Sequence, residues 1–368
     1  MRSEILELER QLQSNFVDRD EEIRGLLLGL LSKQHVLLLG PPGTAKTQIA
    51  HAWSKAFDLS YFRRLVTQFS TPEELFGPVD IAMLKQGIYR RIIEHKAADT
   101  ELVLLDEVFK GGPTILNSLL SLMEERIFDN DGATVQAPLH SLIGTSNELP
   151  NDDEGLEAFY DRFLLRYMVG YLDDMSSFRT MIGLPQAIDE LVAVNKEQLV
   201  EAQQEIEAMP VSNQVYDGME ILWEALREED IRPSDRRFRQ MVKVMAADSW
   251  LQGRSNVTAD SLTIGQHILW MKPEQFTVVK RIVLNSVNPK LSKANEILEA
   301  AMEAVENVSG SSDSGELLQV LDQLKAMQMD LDRLGEDTAV VNIKTYVAEQ
   351  ARQLVDQMTG PSSTYSKT

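Results

Sequence analysis

There is no cysteine among the 368 residues. Disulfides, zinc–thiolate sites and thiol catalysis are excluded, and a reducing compartment fits. Basic residues are scarce: 36 Lys and Arg face 57 Asp and Glu, a formal net charge of −21. Such a surface repels phosphate backbones, and only short basic pairs occur, such as Arg63-Arg64 and Arg90-Arg91, so a nucleic-acid role is disfavoured. Long apolar runs are missing too. The stretch 26–31 is far short of the roughly 20 residues a membrane span needs, and the charged, amphipathic start MRSEILELERQLQ has no secretory core. The expected location is cytoplasmic. The five histidines (His35, His51, His95, His140 and His267) are scattered, never at the spacing of a zinc pair. No 20–50-residue repeat is visible.

What is present is ordinary globular material, 43% hydrophobic and 25% charged, long enough for two domains or a domain with an extension. Residues 3–33 have helical periodicity through Ile5, Leu8, Leu12 and Phe16 and then Ile23, Leu26, Leu27 and Leu30. A five-residue apolar run, 35–39, closed by Gly and Pro, predicts a buried strand, and a helix is expected over about 46–57. Further strands are expected at 62–67, 102–105, 141–145 and 166–170, mostly separated by helices. This alternation implies a parallel sheet covered on both faces. Past about residue 185 only helical patterns remain. Near the end, helices at roughly 291–307, 316–334 and 339–358 flank a flexible break at 308–315, and 360–368 reads as a loose, disordered tail.

The strongest chemical signal is Gly40-Pro41-Pro42-Gly43-Thr44-Ala45-Lys46-Thr47, between a strand and a helix. In that context backbone N–H groups and a helix N-terminus point at an anion. Lys46 reaches β- and γ-phosphates and Thr47 ligates Mg²⁺. Ala45 stands where a second glycine is usual, at little cost if its φ is negative. Next, the apolar run 102–105 ends in Asp106-Glu107, placing two carboxylates at a strand tip, where ligands sit in open α/β sheets. Asp106 would hold Mg²⁺ through water and Glu107 would activate the attacking water. A third strand ends in Gly144-Thr-Ser-Asn147-Glu148, whose amide can bond a phosphate or the water, or simply form a turn. In Asp161-Arg162-Phe-Leu-Leu-Arg166, an arginine can serve a neighbouring subunit's ATP, although on the segment alone an ion pair with Asp161 is the simpler reading. Finally, Arg232-Pro-Ser-Asp-Arg236-Arg237 opens a helix, with Ser234 as N-cap, and one of its arginines could touch phosphates from a lid or lie on a solvated face.

Taken together, GPPGTAKT, TQFSTPEELFGPVDIAMLKQGIYRR, LVLLDEVFKGGPTILNSLLSLMEERIF, TSNELP and DRFLLR occur in an order and spacing that resemble the MoxR family of AAA+ ATPases, and within it the RavA-like branch. Ala45 is a variant this family uses. The likeness is close over about 5–185, looser to about 285, and fails beyond. It implies an α/β P-loop fold: a five-stranded αβα core (1–185), a helical lid (186–285) with nucleotide between the two, and a helical C-terminal extension (286–368). It matches Lys46 and Thr47 to Walker A, Asp106 and Glu107 to Walker B, and Asn147 to sensor 1. Arg162 fits the arginine finger with Arg166 as rival, and Arg236 fits sensor 2 with Arg237 as rival. Residues 77–93 match the helix-2 insert and 127–140 the pre-sensor hairpin, both expected to face a pore or partner. Val17-Asp18-Arg19 resembles the segment lining the adenine pocket. The family's cofactors are ATP and Mg²⁺. Its assembly is generally a hexameric ring, and its partner is often a protein with a von Willebrand factor A domain.

The expected activity is therefore Mg²⁺-dependent ATP hydrolysis that remodels or matures a partner protein. Two rivals differ in what they predict. A nucleic-acid ring motor would show salt-dependent DNA binding and DNA-stimulated turnover. A nucleotide-gated scaffold would scarcely hydrolyse ATP, and its turnover would not change with Glu107→Gln.

Overall fold

The computed structural model describes residues 1–149, 156–184, 191–287, 289–308, 314–335 and 338–359. Residues 309–313 of the expected break, and the whole expected tail, lie outside the described residues. Two compact units divide the chain, Met1–Val279 and Lys280–Thr368.

The first unit is built on a five-stranded parallel sheet in the order β2-β3-β6-β1-β7. Its strands are β1 (His35–Leu39), β2 (Tyr61–Leu65), β3 (Leu102–Asp106), β6 (Ser141–Ser146) and β7 (Phe163–Met168). Every residue of β1, β3 and β6 is buried, as befits central strands covered by helices on both faces. β2 is an edge, and its Arg63, Arg64 and Leu65 are exposed. β4 (Ile127–Asn130) and β5 (Ala133–Gln136) form a separate antiparallel hairpin. The hairpin is tied to the 77–93 segment: Asn130 accepts from the Arg91 N–H at 2.7 Å and donates to the Arg91 carbonyl at 3.0 Å. Phe76 also stacks on Phe128.

The helical stretch 3–33 is two helices, α1 (Arg2–Asn15) and α2 (Asp20–Leu31). Between them the chain breaks helical geometry at Phe16 and at Asp18, whose φ is +53°. α3 (Lys46–Lys55) follows the phosphate loop. Two strand expectations shift. The one at 62–67 lies at 61–65, and the one at 166–170 begins three residues earlier, at Phe163. The earlier start takes the DRFLLR segment into the sheet and buries Arg166 inside a strand.

Beyond β7 the described elements are helical. The helix Lys196–Glu207 opens on a capping box between Asn195 and Gln198. Asn213–Glu228, Asp235–Leu251 and the 3-10 stretch Ala259–His267 follow. Asp235–Leu251 packs against α2, and Arg24 of α2 pairs with Asp248 at 2.9 Å. In the second unit, helices Pro289–Asn307, Ser314–Arg333 and Thr338–Thr359 share an apolar core that includes Ala301, Leu324, Leu331 and Val347.

Candidate nucleotide site

Parallel strands carry their C-terminal ends to one edge of the sheet, which is where a ligand meets loops and helix N-termini. β1 delivers the loop 40–45 there, flanked by β6 and β7. The neighbouring tips of β3 and β6 add Asp106-Glu107 and Asn147. The structure brings these residues together. Lys46 Nζ donates to the carbonyls of Gly40 (2.6 Å) and Pro41 (2.8 Å) and to Asn147 Oδ1 (2.9 Å). Burial pushes the Lys46 ammonium below its ordinary pKa, against the opposing pull of Glu107. The Asn147 amide nitrogen donates to Glu107 Oε1. A continuous polar chain thus runs from Lys46 through Asn147 to Glu107.

Asp106 forms a second cluster. Its Oδ1 accepts from Thr47 Oγ1 at 2.8 Å and from Thr145 Oγ1 at 3.2 Å. Thr145 lies on β6, two residues before Asn147 at the strand's tip, a position the sequence motif did not single out. A carboxylate beside a hydroxyl at a loop rich in amides is a hard-oxygen set suited to Mg²⁺, which needs few protein ligands when phosphates complete its shell. No group of three or more His, Cys, Asp or Glu suited to a metal occurs among the described residues.

Ala45 does not meet the condition under which its methyl group costs little. Its φ is +66° and ψ 9°, left-handed geometry that glycine adopts freely and an L-residue does not. The methyl group is retained at a strained position.

A cleft of about 1310 Å³ opens beside the loop. Phe16, Val17, Gly43, Tyr171, Phe178 and Met181 are among its lining residues, so Val17 and Arg19 of the segment expected at an adenine pocket border this cleft. Arg19 closes its floor, donating to the carbonyls of Thr44 (3.3 Å) and Gly170 (2.7 Å). Phe178 and Met181 come from the helix Met175–Gly183 that follows β7, and the expected lid, 186–285, adds Leu191 and Ala193. Core and lid residues thus both line the cleft, and the helix Asp235–Leu251 contributes none of that lining.

The arginines sort by burial. Arg166 is fully buried, donates to the carbonyls of Phe163 (3.0 Å), Trp270 (2.8 Å) and Tyr160 (3.2 Å), and stacks on the Tyr160 ring. Arg237 is equally buried and donates to Ile268 and Leu164 carbonyls, both at 2.7 Å. Both are structural, which removes them as finger and sensor rivals. Arg162 does not pair with Asp161. It pairs with Glu124, and Arg236 meets the same carboxylate at 3.2 Å. Asp161 is occupied by Arg236 and Arg237. Burial would raise the Asp161 carboxyl, but those two guanidiniums hold it below its usual range. This group precedes Phe163, which pairs with His35 at the start of β1. It therefore sits at the opposite edge of the sheet from the phosphate loop, roughly 13 Å of strand away. Arg236, expected as sensor 2, contacts Glu124 and Asp161 and not this chain's own loop.

Residues 3–209 match the family described as the MoxR domain in the MoxR-vWA-beta-propeller ternary systems, and residues 214–283 match an AAA lid domain. The chain belongs to the MoxR family of AAA+ ATPases. It is 34% identical to the uncharacterized protein MJ0812 of Methanocaldococcus jannaschii, over 88% of this chain and 89% of that one. It is 30% identical to Chaperone MoxR1 of Mycobacterium tuberculosis over 46% of each. The fold matches that of a Cytophaga hutchinsonii protein assigned as an ATPase. The TM-score is 0.61 at 20% identity, covering 78% of this chain and 94% of the other. A MoxR-type AAA+ fold accounts for the loop, the strand tips and the helical segment behind them. No helix among the described residues is long and apolar enough to cross a membrane.

Proposed function

We propose that this MoxR-family protein hydrolyses ATP with Mg²⁺ as a ring and uses the cycle to remodel or mature a partner protein. The observation that carries the reading is the Lys46–Asn147–Glu107 chain beside the Thr47–Asp106 pair. A phosphate against the amides of 40–45 would draw Lys46 away from the carbonyls it now satisfies. Asn147, holding one oxygen of Glu107, fixes the carboxylate that would orient the attacking water. Thr47 and Asp106 would hold Mg²⁺, which neutralises phosphate charge when bound. Val17, Tyr171 and Phe178 would enclose the base.

The ring form is supported by the position of Arg162 and Arg236. Two cations on the edge away from their own loop can reach a phosphate only in a neighbouring subunit. The sharing of Glu124 would keep both in one place until that neighbour's nucleotide draws them off. A protein partner, specifically one with a von Willebrand factor A domain, is supported by the ternary systems named in the matched family. The exposed Ile81, Leu84 and Tyr89 of the 77–93 segment offer it an apolar contact. The RavA-like branch rests on the motif strings alone, and the cytoplasmic setting on the absence of cysteine. The second unit, Lys280–Thr368, is assigned to partner choice.

The test is a comparison of the wild-type chain with Glu107→Gln. The variant should bind Mg·ATP and lose turnover by about 10³-fold or more. In ATP it should retain partner proteins on an affinity column. Equal, negligible turnover in both, with partner present, would leave a nucleotide-gated scaffold instead.

A further inference from the structure

Arg63 lies on the edge strand β2, outside every phosphate-binding motif. Both Nε and Nη2 approach Asp106 Oδ2 at 2.9 Å. The strand register explains the reach: Leu65 opposes Asp106, and Arg63 is one pleat back on the same face, directed diagonally at the carboxylate. With Thr47 and Thr145 on Oδ1, both oxygens of this buried carboxylate are engaged. The three partners are not equivalent. The hydroxyls are short side chains fixed on α3 and β6, whereas the Arg63 side chain is 41% exposed. It borders a hollow of about 510 Å³ lined by Arg64, Thr67, Ser70 and Glu74, which is room to swing into.

We propose that Arg63 is a positioning residue that competes with a divalent cation for Asp106, and so sets the metal concentration at which the nucleotide-loaded site fills. The proposal rests on the ATP–Mg²⁺ reading of this site. Arg63 holds Oδ2 while Thr47 sits on Oδ1, so a guanidinium and a dication on the Thr47 side would share one carboxylate's charge and repel each other at close range. The fork is a charge-assisted pair, and its partial exposure keeps it weak enough to displace. While the fork is in place, Asp106 stays oriented and its charge compensated without metal. The neighbouring Arg64 supplies an internal control, since it pairs with Glu74 at 2.5 Å.

The experiment titrates Mn²⁺ into the full-length, ADP-loaded protein and follows free Mn²⁺ by electron paramagnetic resonance, a readout independent of turnover. Arg63→Met should lower the Mn²⁺ midpoint about 3- to 10-fold. Arg63→Lys, which keeps the charge but not the fork, should fall between. Arg64→Met should leave the midpoint unchanged. A midpoint for folded Arg63→Met equal to or above wild type overturns the proposal. If that variant does not fold, an unchanged midpoint in Arg63→Lys does the same. Wild-type protein that takes up no ADP at any Mn²⁺ concentration overturns the functional reading together with this inference, and is distinguishable from the other failures.

Discussion

Arg162 and Arg236 converge on one carboxylate, that of Glu124, at the edge of the sheet opposite the phosphate loop. One comes from the segment leading into β7 and the other from the helix Asp235–Leu251, so only the tertiary structure unites them. If both serve a neighbour's nucleotide, Arg162→Ala and Arg236→Ala should each lower kcat by about 10³-fold while leaving Tm near wild type. Mixing either variant with Glu107→Gln subunits should restore measurable turnover, because some interfaces then pair an intact Glu107 with intact arginines. No restoration at any mixing ratio would place these residues in cis. Arg166→Ala should behave differently, lowering Tm sharply, since it strips a buried cation from three carbonyls and an aromatic face.

Among the described residues, Asn147 is the side chain bonded to both Lys46 and Glu107. Asn147→Ala should lower kcat by about 10²-fold, the scale of a lost orienting group, and change ATP affinity little. Asn147→Asp should be as poor, because a carboxylate cannot donate to Glu107 and repels it. Single-turnover and binding measurements separate the two quantities. A large fall in affinity with unchanged kcat would contradict the orienting role.

The left-handed Ala45 predicts a stabilising substitution. Ala45→Gly relieves about 1 kcal/mol of backbone strain, partly offset by the freer unfolded chain. Tm should rise by about 1–3 °C. Ala45→Val should lower Tm, because a β-branched residue tolerates positive φ least. Calorimetry checks both, and a lower Tm for the glycine variant would contradict the strain.

Two histidines, buried His35 and half-buried His140, set an acid limit. His35 accepts from the Leu142 N–H at 2.9 Å and is held well below its ordinary pKa by burial and then by Arg126. His140 is lowered chiefly by burial. Unfolded, both return to about 6.5. The unfolded chain thus binds more protons below that pH, and stability present above about pH 6.5 is lost as pH falls toward the folded values. Denaturant midpoints should therefore decline from pH 7 to pH 5, and less steeply in His35→Gln, although that variant starts from a lower stability. Parallel slopes would contradict the assignment.

The phosphate loop and the acidic strand tip were legible because each is local. A strand, a tight turn and a helix start lie within a dozen consecutive residues, and the φ/ψ preferences of Gly and Pro act over that distance. Even there Ala45 escaped, because tertiary context overrode its own preference for negative φ. Arg63 was legible only as half of a basic pair. Its meaning depends on the β2–β3 register, which no neighbouring residue encodes.

Composition and local pattern alone therefore determined an α/β P-loop protein without thiol chemistry, the order of its five core strands along the chain, and the residues proposed to meet a triphosphate. The tertiary structure decided which arginines are free to act. Arg162 and Arg166 of DRFLLR and Arg236 and Arg237 of RPSDRR look alike in one dimension. Burial separates them, because a guanidinium enters a core only where carbonyls happen to converge, as they do around Arg166 and Arg237. That convergence is a property of packed elements distant in sequence.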